Sequence, residues 1–290
     1  MTKYVLSLDG GGVRGLSSAT FLKNLEDELG ESVNKKFDLI CGSSTGGILA
    51  IALSVLDLDS SSLTDLYSTE NLKRIFSKKT LRIFGAKYSA SKKNDVLIEY
   101  FGQLLLSDAA TATVAVTYDL KNRSTKLFTS YKDVYVDAWK VAAATSAAPT
   151  YFPAVQISDN WYVDGSISTN NPVLIAFSEA KKLWPYENIK VLSIGTGYDS
   201  KSFNGIKTKK WGIFSWLKGG IMQVLMESNS EHLIANSLYP NNYMRINSRL
   251  VYVNHEFDDT SGKNLIACKD MGKVWWKNYG KKTINFISTD

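Results

Sequence analysis

The sequence contains few of the residues that disulfide-linked, metal-binding or repetitive proteins need. Its 290 residues include two cysteines and two histidines, too few for a disulfide framework or a histidine-rich metal site. Five prolines exclude a proline-rich scaffold, and 44% hydrophobic with 21% charged residues is the balance of a globular chain. We therefore expect a globular protein that does not depend on a metal ion.

Long apolar runs are also missing. The longest, such as residues 48–53, fall far short of the roughly 20 residues of a membrane-spanning helix. Near the amino terminus, Lys3 is followed by a short apolar stretch that ends at Asp9, which is too short for the core of a signal peptide. These features predict a cytoplasmic protein without a signal peptide or transmembrane segment, associated with membranes only peripherally.

Positive charge is concentrated in two segments that contain no acidic residue. Residues 71–93 carry eight basic side chains and residues 200–226 carry five, whereas the rest of the chain has 21 basic and 28 acidic residues. Both segments mix cations with large apolar residues such as Phe76 and Trp211, a composition that suits the lipid headgroup boundary. No nucleic-acid-binding module accompanies them. We expect an anionic membrane surface as the partner and no nucleic acid, while a solvated face with buried anchors explains the same pattern.

Short apolar strands alternate with helical patterns over the first two hundred residues, which predicts an α/β fold with a parallel sheet. Strands are predicted over residues 3–8, 37–41, 113–118, 125–129, 152–157, 161–163 and 190–194. Helices are predicted over residues 16–29, 46–56, 61–76, 94–106 with Asn94 as the N-cap, 136–147 and 172–184. From residue 210 onward the pattern is mainly helical, except for alternation over 243–253. Because we find no repeat or linker, we expect one domain.

A glycine-rich turn follows the first predicted strand. Residues 9–15 read DGGGVRG and satisfy the G-x-G-x-x-G pattern of dinucleotide-binding folds. That pattern is permissive. The candidate ribose-binding acids lie between Glu26 and Glu31, and those up to Glu28 are within the predicted helix rather than at the end of a second strand. Consecutive glycine N–H groups at a helix start also form a nest that binds an oxyanion or a phosphate. The third glycine and the adjacent Arg14 favour this second interpretation.

A second glycine turn carries a candidate nucleophile. Residues 42–46 read GSSTG and fit the G-x-S-x-G pattern between a predicted strand and a predicted helix. The small residues around Ser44, including Gly42 and Gly46, permit a sharp turn that lifts the serine clear of the sheet. The alternative is a glycine-rich helix start that Ser44 caps. The strand–turn–helix context favours a nucleophilic serine.

A nucleophilic serine needs a base, and the chain offers an aspartate and two histidines. Ser44, Asp164 and either His232 or His255 occur in the order of an α/β-hydrolase triad. His232 lies in a polar helical stretch and His255 in a predicted turn, so neither has a glycine-flanked loop. Asp164 follows a predicted strand and precedes Gly165, which places its carboxylate at a strand end, although an ordinary Asp-Gly turn fits as well. Asp164 is the better candidate.

Four sequence blocks, in this order, resemble the patatin-like phospholipase family. They are DGGGVRG at residues 9–15, CGSSTGG at 41–47, ATSAAPTYF at 144–152, and VDG at 163–165 followed by NNP at 170–172. The resemblance extends over about residues 4–197, and residues 198–290, mainly helical, are less diagnostic. Ser166 departs from the family pattern, in which glycine or alanine follows Asp-Gly.

The resemblance implies a three-layer α/β/α fold with a mainly parallel central sheet, in a single acyl hydrolase domain over residues 1–290. It also implies hydrolysis of membrane phospholipid or lysophospholipid esters through an acyl-enzyme, with no cofactor. Calcium is not expected, because the loop that begins at Asp57 resembles a calcium loop but has Ser62 and Ser68 at its sixth and twelfth positions.

The same resemblance implies roles for the motif residues. Ser44 is the nucleophile and Asp164 the base of a dyad without histidine. The oxyanion hole comprises Gly10, Gly11 and Gly12, with Gly10 shaping the turn and the other two donating N–H groups. The remaining positions are Gly42 and Gly46 in the elbow, Gly165 in the loop after the acid, and Arg14, which either fixes the oxyanion loop or contacts the lipid phosphate.

Several alternatives remain open from the sequence. A transacylase would use the same acyl-enzyme, a histidine-dependent esterase would need His232 or His255, and a lipid-binding module would not turn over. An unknown activator is compatible with each enzymatic alternative. Residues 71–93 are either a lid over the acyl pocket or an ordinary packed helix.

Overall fold

The computed structural model describes residues 1–56, 60–77, 85–199, 205–212, 215–216 and 230–288. The strands in these ranges are β1 Thr2–Leu8, β2 Leu39–Ser43, β3 Ala112–Asp119, β4 Ser124–Thr129, β5 Val155–Ile157, β6 Asn160–Asp164, β7 Asn188–Ile194 and β8 Tyr243–Ile246. The helices are α1 Gly15–Leu29, α2 Val33–Lys36, α3 Thr45–Val55, α4 Ser60–Asp65, α5 Thr69–Ile75, α6 Ala90–Phe101, α7 Ala138–Thr145, α8 Val173–Leu183, α9 Gly205–Thr208, α10 Ser230–Leu238 and α11 Gly262–Ser288.

The strands form one mixed sheet in the order β5-β6-β3-β2-β1-β7-β8, and β4 pairs with β3 beside this path. From β3 to β8 the neighbouring strands run parallel, whereas β4 and β6 pair antiparallel with β3, and β5 with β6. The prediction of a mainly parallel sheet is therefore confirmed. Parallel strands bring their carboxyl ends to the same edge, which is where the glycine turns lie.

Helices cover both faces of the sheet. Alternate strand residues enter two separate clusters of buried side chains, with Val5 and Leu39 in one and Leu6 and Ile40 in the other. The first cluster includes residues of α8 and α10, and the second includes residues of α1, α3, α7 and α11. Because the central strands are buried on both faces, they are apolar runs rather than alternating patterns. The predicted three-layer α/β/α fold is confirmed.

Some boundaries differ from the sequence prediction. Helix α6 begins at Ala90, with Ser89 as its N-cap, so the predicted start at Asn94 is wrong. It ends where Gly102 adopts a positive φ of 55°, a backbone conformation that stops a helix. The helix predicted over 61–76 is two helices, because Ser68 accepts the N–H of Asn71 and starts α5.

The carboxyl-terminal part joins the same sheet and the same core. Strand β8 extends the parallel sheet beyond β7, and α11 packs along α1. Although α11 has 27 residues, charged side chains such as Lys281 and Lys282 interrupt it. None of the helices in the described ranges is both long and apolar enough to cross a bilayer.

Candidate active site

Ser44 occupies the turn between β2 and α3 in a strained backbone conformation. Its φ of 53° and ψ of −123° lie in a region that residues with a side chain rarely adopt. The turn is also tight: a Cβ on Gly46 would lie 2.2 Å from the carbonyl oxygen of Leu8, and one on Gly42 would lie 2.0 Å from that of Gly46. The G-x-S-x-G pattern is thus required by close backbone contacts, and it places Ser44 at the end of a central strand.

The sheet register brings Asp164 next to Ser44. On β3, Val116 is paired with Ser43 of β2, and the following residue, Thr117, is paired with Asp164 of β6. The two side chains therefore meet although they are 120 residues apart, and Ser44 Oγ donates a hydrogen bond of 2.6 Å to Asp164 Oδ2. Both residues are buried. The serine and the acid are in direct contact, with no residue between them.

Neighbouring polar groups hold this pair in position. The backbone N–H of Ser44 donates to Thr145 Oγ1 at 3.0 Å, and the N–H of Ser166 donates to Asp164 Oδ1 at 2.8 Å. Ser166, the departure from the family pattern, thus still supplies the backbone donor next to Asp164, and its Oγ lies 3.3 Å from that of Ser43. The sequence assigned no role to Thr145, although it lies in the ATSAAPTYF block.

The environment of Asp164 makes its carboxylate more basic than an exposed one. Burial raises the pKa of Asp164 from 3.8 to about 6, and hydrogen bonds from Ser44 and Ser166 and the charge of Lys93 oppose this effect. A carboxylate with such a pKa is ionised at neutral pH and still accepts a proton more readily than an ordinary aspartate. The group is thus suited to general base catalysis near neutral pH.

The glycine-rich turn lies beside Ser44. An added Cβ on Gly10 would lie 3.1 Å from Ser44 Cβ, so this turn and the elbow are in close contact. The N–H of Gly10 donates to the carbonyl oxygen of Asn170 at 3.1 Å. Within the described ranges, the N–H groups of Gly11 and Gly12 have no hydrogen-bond acceptor. Two backbone donors therefore remain at the amino end of the Gly12–Arg14 turn of 3-10 helix.

Two arginines contact this turn. Arg245 of β8 forms a bidentate ion pair with Asp9, one bond of which is 2.8 Å from Nη1 to Oδ1, and it also donates to Ser193 Oγ at 2.6 Å. Arg14 is fully buried, with its guanidinium 4.5 Å from the ring centre of Phe257. This position of Arg14 fits the loop-fixing role rather than contact with a lipid phosphate. Sequence analysis missed Arg245, because an arginine in an alternating strand carries no local signal.

The histidines have other partners. His232 Nδ1 lies 3.0 Å from the hydroxyl of Tyr243, and His255 Nδ1 lies 2.9 Å from Asp199 Oδ2. Both residues are in described segments, and neither lines the pocket that contains Ser44 and Asp164. The geometry therefore does not assemble the triad that the sequence order permits.

An apolar pocket opens above the Ser44–Asp164 pair, between α3, α5, α6 and the loop 148–152. Its polar lining includes Ser44, Asp164, Lys93 and Ser146. Its apolar lining consists of Val13, Ile48, Leu66, Leu72, Ile75, Phe76, Val96, Leu97, Ala148, Pro149, Phe152 and Phe257. Such a lining suits a hydrocarbon chain.

In the two basic segments, some of the described basic side chains are buried or paired and others are exposed. In 71–93, Lys93 is buried, Arg74 pairs with Glu99 and Lys87 pairs with Asp258, so Lys93 cannot contact a membrane surface. In 200–226, Lys209 and Lys210 are exposed. Residues 78–84, 200–204, 213–214 and 217–226 of these segments lie outside the described residues, as do residues 57–59 of the calcium-like loop. The described residues contain no cluster of three or more His, Cys, Asp or Glu that could hold a metal ion.

The site contains a serine on a strained elbow that donates a hydrogen bond to a buried carboxylate. Two backbone N–H donors and an apolar pocket lie beside this pair. Together these features define the site of a serine acyl hydrolase. The comparison with known proteins agrees, because residues 6–177 match the family model described as patatin-like phospholipase. The chain belongs to the patatin-like phospholipase family, and it is a lipid acyl hydrolase with the serine mechanism typical of that family.

Two curated relatives illustrate the similarity. Patatin-like protein 1 of Arabidopsis thaliana is 30% identical over an alignment that covers 78% of this chain and 68% of the relative. A cGAMP-activated phospholipase of Pseudomonas aeruginosa is 32% identical over an alignment that covers 86% of this chain and 79% of the relative.

Two solved structures share the fold. VipD from Legionella pneumophila has a TM-score of 0.59 at 11% identity, over 95% of this chain and 67% of that one. ExoU from Pseudomonas aeruginosa, crystallised with SpcU, has a TM-score of 0.52 at 12% identity, over 99% of this chain and 53% of that one. These similarities concern the fold alone.

Proposed function

We propose that this chain is a calcium-independent phospholipase A or lysophospholipase, which cleaves carboxylic esters of membrane phospholipids with a Ser44–Asp164 dyad. The observation that carries the proposal is the 2.6 Å hydrogen bond from Ser44 Oγ to Asp164 Oδ2 at the base of an apolar pocket. In this arrangement the serine proton already points at its acceptor, so no histidine is needed to relay it.

In the proposed reaction, Ser44 Oγ attacks the ester carbonyl carbon while Asp164 Oδ2 accepts the hydroxyl proton. The carbonyl oxygen becomes an oxyanion, which receives hydrogen bonds from the N–H groups of Gly11 and Gly12. One such donor is typically worth about 2.7–4 kcal/mol of the barrier. Collapse of the tetrahedral intermediate transfers the proton to the leaving lysolipid alkoxide and leaves the acyl group on Ser44. Asp164 then removes a proton from water as the water attacks the acyl-enzyme, and it returns that proton to Ser44 Oγ when the second tetrahedral intermediate collapses and releases the fatty acid.

The pocket supports an acyl chain as the bound part of the substrate. Its apolar lining, with residues such as Ile48, Leu97 and Phe152, offers no partner for a charged headgroup. The headgroup would remain outside the pocket, at the membrane surface. The exposed Lys209 and Lys210 carry the positive charge that an anionic membrane surface attracts. We therefore infer a peripheral membrane enzyme that takes one acyl chain at a time into the pocket.

The test is mass-spectrometric detection of fatty acid and lysolipid released from mixed phospholipid vesicles, with a calcium chelator present. We expect release by the wild type, loss in Ser44→Ala and Asp164→Asn, and retention in the double variant His232→Ala/His255→Ala. Loss of release in a folded histidine variant would overturn the dyad. Dependence on added calcium would overturn calcium independence, and acyl transfer to an acceptor other than water would indicate a transacylase.

A parallel reaction contains cGAMP, because one relative is named for activation by that nucleotide. Release that requires cGAMP would extend the similarity with that relative to its regulation. Vesicle binding without release under both conditions would contradict the enzymatic proposal and indicate a lipid-binding module.

A further inference from the structure

Lys93 is a buried lysine in the wall of the proposed acyl pocket. It lies on α6, one turn before the pocket-lining Val96 and Leu97, and only 2% of it is exposed. Its Nζ lies 4.4 Å from the ring centre of Phe152. Lysine is almost never fully buried unless its charge has partners, so the surroundings of Nζ need an explanation.

Three oxygens surround the Lys93 ammonium group. Nζ donates to the carbonyl oxygen of Ala143 at 3.0 Å, to that of Ser146 at 3.2 Å and to Ser146 Oγ at 3.2 Å. An ammonium has three N–H donors, so all of them are used, whereas a neutral amine would have only two. The carbonyl groups belong to the carboxyl end of α7, where the helix dipole favours a cation. The geometry thus fits a charged Lys93 that has no donor left for a substrate.

The end of α7 that Lys93 binds also contacts both members of the catalytic pair. Thr145 Oγ1 accepts the backbone N–H of Ser44 at 3.0 Å, and the carbonyl oxygen of Ala147 accepts the backbone N–H of Asp164 at 3.1 Å. A change in the position of this segment would therefore move Ser44 and Asp164 relative to each other. Lys93 also acts on Asp164 through its charge. The two groups are buried, and opposite charges in a buried site favour each other's ionised form.

We propose that Lys93 is a positioning residue for the Ser44–Asp164 pair: it anchors the end of α7 against the pair, and its charge favours the ionised form of Asp164. This inference rests on the proposed function of the pair. The three N–H donors of Lys93 are taken by Ala143 and Ser146, so Lys93 acts on the reacting atoms through the end of α7 and through its charge.

The other charged groups around Lys93 have partners of their own. On α5 and α6 Arg74 pairs with Glu99, and on α7 Lys140 pairs with Asp137. Lys87, which precedes α6, pairs with Asp258, and Lys92 and Asp95 of α6 itself are exposed. The pocket tyrosines, Tyr67 and Tyr151, have pKa values that burial raises, so they are neutral near pH 7. Among the described residues, Asp164 is the carboxylate whose charge acts on Lys93.

The direction of the pH effect follows from these contacts. Burial lowers the pKa of Lys93 to about 7 and raises that of Asp164 to about 6, and each charge opposes the shift of the other. Without the cation, the pKa of Asp164 would rise further. Since the base must be ionised to accept a proton, the acidic limb of the activity profile would move to higher pH.

The experiment is a titration of the Asp164 carboxyl group by NMR in protein labelled with ¹³C at aspartate Cγ, and the signal is assigned by its loss in Asp164→Asn. In Lys93→Met the midpoint should rise by about one pH unit, since a nearby opposite charge shifts a carboxyl pKa by about that much or more. Lys92→Met, which removes an exposed charge from the same helix, should leave it unchanged. Lys93→Arg keeps the charge and should stay near the wild type. An unchanged midpoint in Lys93→Met would overturn the proposal.

A second measurement uses the wild type alone and so does not depend on the folding of a variant. Because coupled groups report each other's titration, the Asp164 signal should show a second inflection when Lys93 loses its proton. A single-step curve from about pH 4 to about pH 10 would also overturn the proposal. Neither measurement needs turnover. Failure of the proposed function would appear separately, as a wild type that shows both inflections and releases no fatty acid.

Discussion

In the proposed mechanism, Asp164 is the base for Ser44, and its surroundings account for the basicity that this role requires. An exposed aspartate is a weak base near neutral pH, but burial raises the pKa of Asp164 to about 6. The hydrogen bonds from Ser44 and Ser166 keep the group ionised and oriented. These contacts give a single residue both the basicity and the orientation that a histidine and its acid supply together in a triad.

Arg245 forms an ion pair with Asp9, the first residue of the glycine-rich turn at residues 9–15. In Arg245→Met, Asp9 would remain buried without its cation, and we expect the free energy of unfolding to fall by about 3–5 kcal/mol. We also expect slower ester hydrolysis in the fraction that folds, because Asp9 leads directly into the glycine turn. Urea denaturation and initial rates measure the two effects.

The matched control for this prediction is Arg249→Met. Arg249 is exposed and lies four residues further along the chain, so the same change of residue type should leave both quantities near the wild-type values. Equal denaturation midpoints for the two variants would show that the Asp9–Arg245 ion pair does not stabilise the turn.

At the level of elements, α6 decides the shape of the pocket. Its buried face contributes Lys93, Val96 and Leu97 to the wall, while Ile98 on the same helix is 42% exposed. Helix α5 contributes Leu72 and Ile75 from another side. Segment 71–93 therefore contributes Leu72, Ile75, Phe76 and Lys93 to the wall of the proposed substrate site.

Filling the pocket from α6 should shorten the acyl chain that the enzyme accepts. In Leu97→Trp the larger side chain occupies space that the distal part of a long chain would need. We expect the ratio of kcat/KM for a long-chain ester to that for a short-chain ester to fall by about tenfold or more, since a single methylene in a pocket is worth about tenfold. The ratio is measured with p-nitrophenyl esters of different chain length.

Ile98→Trp introduces the same residue at the neighbouring exposed position and serves as the control. Its ratio should equal that of the wild type. If Leu97→Trp loses both activities in equal proportion, the substitution has damaged the fold in general. If both activities and their ratio stay at the wild-type values, the pocket does not bind the acyl chain.

On the scale of the whole molecule, the distribution of charge predicts which surface of the protein binds an anionic membrane. Lys209 and Lys210 are exposed. Next to them, the rings of Trp211 and Trp216 pack edge to face, with their centres 5.1 Å apart. Lysines beside tryptophans are typical of surfaces that bind anionic lipid headgroups. We expect Lys209→Glu/Lys210→Glu to bind anionic vesicles at least about tenfold more weakly, since each basic residue is worth about 1 kcal/mol there.

The comparison variant is Lys121→Glu/Arg123→Glu, at the exposed turn between β3 and β4. It changes the net charge by the same amount at another place, so its vesicle binding should stay close to that of the wild type. Sedimentation with vesicles at two salt concentrations measures the binding. Equal weakening in both variants would mean that net charge matters and that the segment at 209–210 has no special role.

The sequence by itself determined the fold class and the candidate catalytic residues, because both depend on local patterns. A strand, a glycine turn and a helix are recognisable within about 20 residues. The two glycine turns could therefore be placed at the carboxyl ends of β1 and β2, and Asp164 at the end of another strand. The boundary at Asn94 was misplaced because the capping signals of Ser89 and Asn94 are equivalent in sequence.

Only the tertiary structure decided which residues support the site. The sheet register brings Asp164 to Ser44 across β3, and β8 brings Arg245 to Asp9 from 236 residues away. The sequence places Lys93 in a basic segment that we expect to face a membrane, because its sequence neighbours are basic. In the structure, the packing of α6 on α7 buries it. Charge composition describes a segment, whereas burial depends on the elements packed against each side chain.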